Sequence, residues 1–127
     1  MDTSKRELLQ MGSLALLGSA GILKAAEQKG MFVHVFLMKF KPEVPEEEIA
    51  DAMKELAALK EKIPVLKEFL VGKNVSPRGQ GYHYTQVAIL EKKEDVQAYQ
   101  QHPEHRKVIP KIAPNLAESI TMQFEPL

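Results

Sequence analysis

Hydrophobic side chains occupy both alternating sets of positions in residues 31–41, which predicts a β-strand buried on both faces. One set consists of Phe32, His34, Phe36, Met38 and Phe40, and the other contains Val33, Val35 and Leu37. In so short a chain, helices can cover one face of such a strand. We therefore expect a second sheet or a partner subunit to cover the other face.

The remaining pattern alternates between helical and strand periods. After Pro45, helical spacing relates the apolar residues Ile49, Ala52, Met53, Leu56, Leu59 and Ile63, which predicts a helix with one buried stripe that ends at Pro64. The other predicted elements are strands at 66–75, 82–91 and 119–125 and helical stretches at 94–101 and 104–113, the last interrupted or bounded by Pro110 and Pro114. This β-α-β-β-α-β order predicts an α+β, ferredoxin-like domain over residues 31–127.

The first 26 residues have the organisation of an export signal. A charged start with Lys5 and Arg6 precedes an apolar run of 13 residues, Met11–Leu23. Such a run is short for crossing a bilayer and typical of a signal peptide, and the charged start resembles the twin-arginine export motif. We expect residues 1–26 to be removed, residues 27–30 to form a linker, and the protein to be periplasmic or secreted in a bacterium. Its only membrane contact would be the export signal. An uncleaved anchor and an ordinary N-terminal helix are the other interpretations.

Composition narrows the chemistry that the domain can perform. The chain has 17 basic and 17 acidic residues, so its formal net charge is zero. A nucleic-acid-binding protein would show a basic face instead, and we predict no nucleic-acid partner. The chain has no cysteine, which excludes disulfides, thiolate metal sites and cysteine nucleophiles. Histidine and tyrosine remain as natural groups for proton transfer.

Two segments resemble the stress-responsive dimeric α/β-barrel (Dabb) family. The first is the strand from His34 to Lys41, in which a histidine precedes a Lys-Phe-Lys end. The second is Tyr99-Gln-Gln-His102-Pro-Glu-His105, which is similar to the family's Tyr followed by His-Pro-x-His. The resemblance extends from Met31 to Pro126. It implies a homodimer in which two four-stranded sheets pack face to face into a barrel with the helices outside.

The resemblance also implies a site. Plant polyketide cyclases of this family use acid/base chemistry without a cofactor, and their catalytic Tyr and His match Tyr99 and His105. Their first-strand histidine matches His34, and the first histidine of the motif matches His102. A pocket histidine of the third strand is replaced here by Tyr84. The expected catalytic residues are thus Tyr99 and His105, and the expected binding residues are His34, Tyr84 and His102.

Two functions fit these residues. The first is a cofactor-independent enzyme, cyclase- or isomerase-like, in which Tyr99 and His105 act on a small apolar or aromatic carbonyl compound. The second is a non-catalytic dimer of the cell envelope that binds a ligand or has a structural role in stress. Under the second interpretation Tyr99 and His34 belong to the core and His102 caps a helix. A metal at His102 and His105 is a third interpretation, although a catalytic zinc site usually needs three protein ligands.

Overall fold

The computed structural model describes residues 30–127, which form the expected β-α-β-β-α-β order. The strands are β1 (Phe32–Phe40), β2 (Glu68–Lys73), β3 (Tyr84–Leu90) and β4 (Leu116–Phe124), and the helices are α1 (Glu46–Ala57), α2 (Glu94–Gln101) and α3 (Pro103–Ile112). Short 3₁₀ turns follow α1 and α3, at Ala58–Glu61 and Ala113–Asn115. The predicted export signal and linker positions 27–29 lie outside the described residues.

The helix α1 follows directly from the local sequence. It begins after Pro45, and its first turn carries three glutamates, whose charges interact favourably with the free N–H groups of a helix start. Its buried residues are Ile49, Ala52, Met53 and Leu56. Leu59 and Ile63, from the 3₁₀ turn and the segment after it, are also buried. The stripe predicted from helical spacing is therefore confirmed.

The junction between α2 and α3 is one residue long. His102 has extended backbone angles and Pro103 occupies the first position of α3, where the missing N–H of proline costs nothing. The prediction that Pro110 interrupts or bounds the third helix was wrong, because α3 continues to Ile112. Pro110 lies close to the end of α3, where the backbone bond that it removes is one of the last in the helix.

The four strands form one antiparallel sheet in the order β2-β3-β1-β4. Phe36 in β1 lies opposite Gln86 of β3 and Thr121 of β4, so these three side chains share one face of the sheet. The last strand begins at Leu116 rather than at 119, because β4 pairs with β1 as far as Phe40.

The core lies between the helices and one face of this sheet. Met38, Ala88 and Leu90 are completely buried there. His34 and Gln86 are the buried polar side chains among the described residues, at 3% and 2% exposure. Polar side chains are seldom fully buried, so these two residues mark a region of the core that is not purely apolar.

The opposite face of the sheet, which we call the open face, carries no helix. It is mostly apolar, although Glu68 and Thr85 also lie on it. Its apolar residues are Val33, Val35, Leu37, Leu70, Val87, Ile89, Ile120, Met122 and Phe124. Leu70, Met122 and Phe124 are each at least half exposed, at 52%, 59% and 50%. A contiguous apolar surface of this kind is typical of a protein interface. No helix within residues 30–127 is long and apolar enough to cross a membrane.

Candidate functional site

A cavity of about 140 Å³ lies between the helix-covered face of the sheet and the helices. All three helices and three of the four strands contribute to its wall. Its polar lining residues are His34, Gln86, Tyr99, Gln100, His105 and Thr121, and its apolar ones are Phe36, Leu56, Ile109 and Ile112. The structure thus brings together three of the five site residues expected from the sequence, namely His34, Tyr99 and His105.

Tyr99 lies at the centre of this group. It projects from α2, and its side chain is 1% exposed. The His105 ring meets it edge-on, with 4.6 Å between ring centroids, and the His34 ring is 6.2 Å away. The short α2–α3 junction explains the closer contact, because it lets consecutive helices present Tyr99 and His105 to the same space.

The hydrogen bond made by His105 determines which tautomer the neutral ring adopts. Its Nδ1 lies 2.9 Å from the backbone carbonyl oxygen of Gln100. A carbonyl can only accept, so Nδ1 carries the hydrogen and, in the neutral ring, Nε2 keeps a free lone pair. Burial lowers the pKa of His105. The hydrogen bond with the Gln100 carbonyl opposes that effect, and the nearby His34 adds to it. His105 is therefore neutral at neutral pH and has the form required of a general base.

His34 is arranged in a similar way. Its Nδ1 lies 2.9 Å from the side-chain oxygen of Gln123 in β4, which again leaves Nε2 as the unprotonated nitrogen. Burial lowers the pKa of His34, although its bond with Gln123 opposes that effect. Two neutral imidazoles consequently flank the Tyr99 ring.

The Tyr99 hydroxyl donates to the side-chain oxygen of Gln86 over 3.1 Å. Burial raises the pKa of Tyr99 above its ordinary value, so the phenol keeps its proton at any physiological pH. A buried tyrosine in this state acts as a hydrogen-bond donor to a substrate oxygen rather than as a base.

The other two expected site residues lie elsewhere. His102 caps α3, because its Nδ1 accepts a hydrogen bond from the backbone N–H of Glu104 at 3.1 Å. Tyr84 packs edge-on against Phe40 and lines a surface hollow beside Arg78 and Tyr82. Neither lines the cavity, and their binding roles remain predictions. No three His, Asp or Glu side chains within residues 30–127 cluster as metal ligands.

Four polar residues that line or support the cavity were not singled out from the sequence. They are Gln86, Gln100, Thr121 and Gln123. A signal for two of them was present in the strand pattern: Gln86 is polar on the face shared with Ala88 and Leu90, and Gln123 lies between Met122 and Phe124, which face away from it. The backbone carbonyl of Gln100 left no signal, because it is not a side chain.

The fold and this cavity define a small ferredoxin-like α+β protein with an open apolar sheet face. The chain belongs to the Dabb family, whose stress-responsive A/B barrel domain matches residues 32–126. The family resemblance found in the two sequence segments is thereby confirmed.

Three relatives illustrate the range of similarity. Stress-response A/B barrel domain-containing protein HS1 of Arabidopsis thaliana is 33% identical over 102 residues, which cover 79% of this chain and 94% of HS1. A dimeric ferredoxin-like protein of unknown function from Thermobifida fusca is 30% identical, with a TM-score of 0.69 and coverage of 77% and 92%. A hydroxynitrile lyase from Passiflora edulis has a TM-score of 0.70 and coverage of 77% and 94%, but at 14% identity it shares the fold alone.

Proposed function

We propose that this protein is a cofactor-independent acid/base enzyme that acts on a small carbonyl compound. One observation carries the proposal: a neutral histidine, His105, contacts the hydroxyl-bearing ring of Tyr99 on the wall of a cavity. A base and a proton donor held side by side are the two groups that enolisation of a carbonyl compound requires.

In the proposed reaction Nε2 of His105 removes a proton from the carbon next to the substrate carbonyl. The electron pair of the broken C–H bond moves toward the carbonyl oxygen, and the Tyr99 hydroxyl stabilises the resulting enolate by donating to that oxygen. When the enolate is conjugated with a C=C bond, return of the proton from His105 to the far carbon of that conjugated system gives an isomer. When the molecule has a second carbonyl, attack of the enolate carbon on it forms a C–C bond and gives a ring, as in a cyclase, and the oxygen of that carbonyl takes the proton from His105.

The size of the cavity limits the substrate. Its volume of about 140 Å³ is close to the roughly 150 Å³ of an apolar cavity that holds benzene. Its lining combines apolar side chains from α1, α3 and β1 with several polar groups. This arrangement favours a compound of about the size of one ring that carries a carbonyl group.

The cavity also bears on the non-catalytic alternative. A purely structural dimer is expected to fill this space with core side chains, so an open cavity with two neutral histidines favours a site for a small molecule. A protein that binds a ligand without turning it over has the same cavity. Proton exchange separates these two functions.

The test is exchange of the α-hydrogens of cyclopentanone for deuterium, followed by proton NMR in deuterated buffer. The Tyr99→Phe variant is expected to exchange them at least ~10²-fold more slowly than the unaltered protein, because the proton donor is gone. Tyr82→Phe is the matched control, since the Tyr82 hydroxyl bonds Glu118 on the surface. Exchange by the unaltered protein no faster than in buffer, or equal rates for Tyr99→Phe and the unaltered protein, would refute the acid/base mechanism.

We further propose that the protein is exported and works as a homodimer outside the bacterial cytoplasm. The charged start and apolar run of residues 1–26 support export. Expression of the full chain in a bacterium is expected to yield a periplasmic form about 26 residues shorter, as measured by mass spectrometry of cell fractions. Recovery of uncut protein from the cytoplasm alone would contradict this, and replacement of Lys5 and Arg6 by glutamine is expected to block export.

A further inference from the structure

Only one of the two polar atoms in the Gln86 side-chain amide makes a hydrogen bond within residues 30–127. Its oxygen accepts the hydrogen bond from Tyr99, whereas its nitrogen, Nε2, is buried and has no hydrogen-bond partner among residues 30–127. Native proteins seldom leave such a donor unpaired, because burial removes its water without replacing it. An unpaired donor of this kind needs a reason for its presence.

The neighbouring residues in the sheet do not explain why a glutamine is buried at this position. The cross-strand neighbours of Gln86 are Phe36 on β1 and Val71 on β2, and both are apolar. Along β3, the same face continues with Ala88 and Leu90. An apolar residue at position 86 would satisfy this packing without the cost of burying an amide. The feature that distinguishes this position is the cavity, which Gln86 lines together with Tyr99.

We infer that Gln86 is a ligand-binding residue whose amide nitrogen, paired with the Tyr99 hydroxyl, holds the acceptor oxygen of a ketone, an aldehyde or the derived enolate. The last torsion of a glutamine side chain is soft, so the amide can turn. A tyrosine hydroxyl both donates and accepts. After the turn, one hydrogen of Nε2 bonds the Tyr99 oxygen, and its second hydrogen and the Tyr99 hydroxyl hydrogen meet the same ligand oxygen.

This arrangement deepens the proposed function by naming what the cavity recognises. Two donors that converge on one oxygen favour a carbonyl and its enolate over a hydrocarbon of equal shape, because only the oxygen accepts hydrogen bonds. The inference rests on the proposed function for the class of reaction, but the recognition of a carbonyl oxygen can be measured without turnover.

The experiment compares the binding of cyclopentanone with that of methylenecyclopentane, in which a CH₂ group replaces the oxygen. Dissociation constants are measured by titration in ¹H–¹⁵N NMR spectra of the unaltered protein, Gln86→Met and Gln101→Met. The unaltered protein and the Gln101→Met control, whose residue is exposed and does not line the cavity, are expected to bind the ketone about tenfold more tightly. Gln86→Met is expected to lose that preference.

A ketone preference that persists in Gln86→Met, or is absent from the unaltered protein, would overturn the inference. A second measurement uses only the unaltered protein, so it does not depend on whether the variant folds. Cyclopentanone is expected to shift the side-chain NH₂ resonances of Gln86, whereas methylenecyclopentane is expected to leave them unchanged. Equal shifts with both compounds would also overturn it. A ketone preference that depends on Gln86, without α-hydrogen exchange, would refute the proposed enzyme but support this inference. Exchange of the α-hydrogens without that preference would support the enzyme but refute this inference.

Discussion

Replacement of His105 with glutamine is expected to slow the exchange of cyclopentanone α-hydrogens by about 10²- to 10⁴-fold, the usual contribution of a general base. Glutamine can still donate a hydrogen bond to the Gln100 carbonyl, so the local structure of α3 is kept. It offers no lone pair of comparable basicity in place of Nε2. The loss is therefore expected in the rate of the chemical step and not in the fold, which circular dichroism melting will check.

The pH dependence of the same exchange identifies the base. Burial lowers the pKa of His105 from 6.5, and the base acts only when it is neutral. Activity is therefore expected to be constant around neutral pH and to fall as the pH drops through a midpoint below 6.5. Because burial raises the pKa of Tyr99, no loss from ionisation of this tyrosine is expected on the alkaline side near neutral pH.

The contributions of His34 and His105 to this pH profile must be distinguished, because His34 influences the pKa of His105. In His34→Gln the acid limb is expected to persist with its midpoint moved upward, since the positive charge that His34 gains at low pH no longer opposes protonation of His105. His83→Gln is the control, because His83 is exposed and its Nδ1 accepts from the backbone N–H of Phe40 outside the cavity. Unchanged exchange in His105→Gln, or an acid limb above pH 6.5, would exclude His105 as the base.

Replacement of Met122 with glutamate is expected to raise the dissociation constant of the dimer by at least about 10²-fold. Met122 lies opposite Val35 on the open face and is 59% exposed in the single chain. The glutamate is thus hydrated in the monomer but buried without a partner in a dimer. In a dimer of two-fold symmetry each substitution occurs twice, so two unpaired charges oppose association.

Analytical ultracentrifugation over a range of protein concentrations measures this effect. Gln97→Glu adds the same charge at an exposed position of α2 and is expected to leave the dimer unchanged. Dimeric similar structures support self-association, and the exposed apolar residues of the open face are the surface that we propose for it. A Met122→Glu variant that remains as dimeric as the unaltered protein would show that another surface is used.

Much of the fold follows from sequence periodicity alone. The spacing of Ile49, Met53 and Leu56 identifies one face of a helix, and alternation along residues 31–41 identifies a strand that is apolar on both faces. These patterns are readable because secondary structure repeats over short distances along the chain. The start of β4 was misplaced, because pairing with β1, and not local composition, determines where that strand begins.

The site was only partly predictable for a related reason. Tyr99 and His105 are close in sequence and sit in a recognisable motif, so their juxtaposition across the α2–α3 junction could be expected. Gln86 lines the same cavity from β3, and Gln123 bonds His34 from β4. Nothing in the local sequence of either residue relates it to Tyr99 or His34. The role of His102 as a helix cap depends on one hydrogen bond from the backbone N–H of Glu104, and capping was one of three interpretations that the sequence offered for this residue.

The sequence by itself determined the order of the elements, the buried stripe of α1, the membership of the family and the identity of three cavity residues. Each of these follows from the spacing of residues along the chain or from a contiguous motif. The tertiary structure alone decided which nitrogen of His34 and His105 is free, that the Tyr99 hydroxyl bonds Gln86, and that Tyr84 lies outside the cavity. These properties arise from contacts between side chains and carbonyl groups on different strands and helices, and such contacts exist only once the chain has folded.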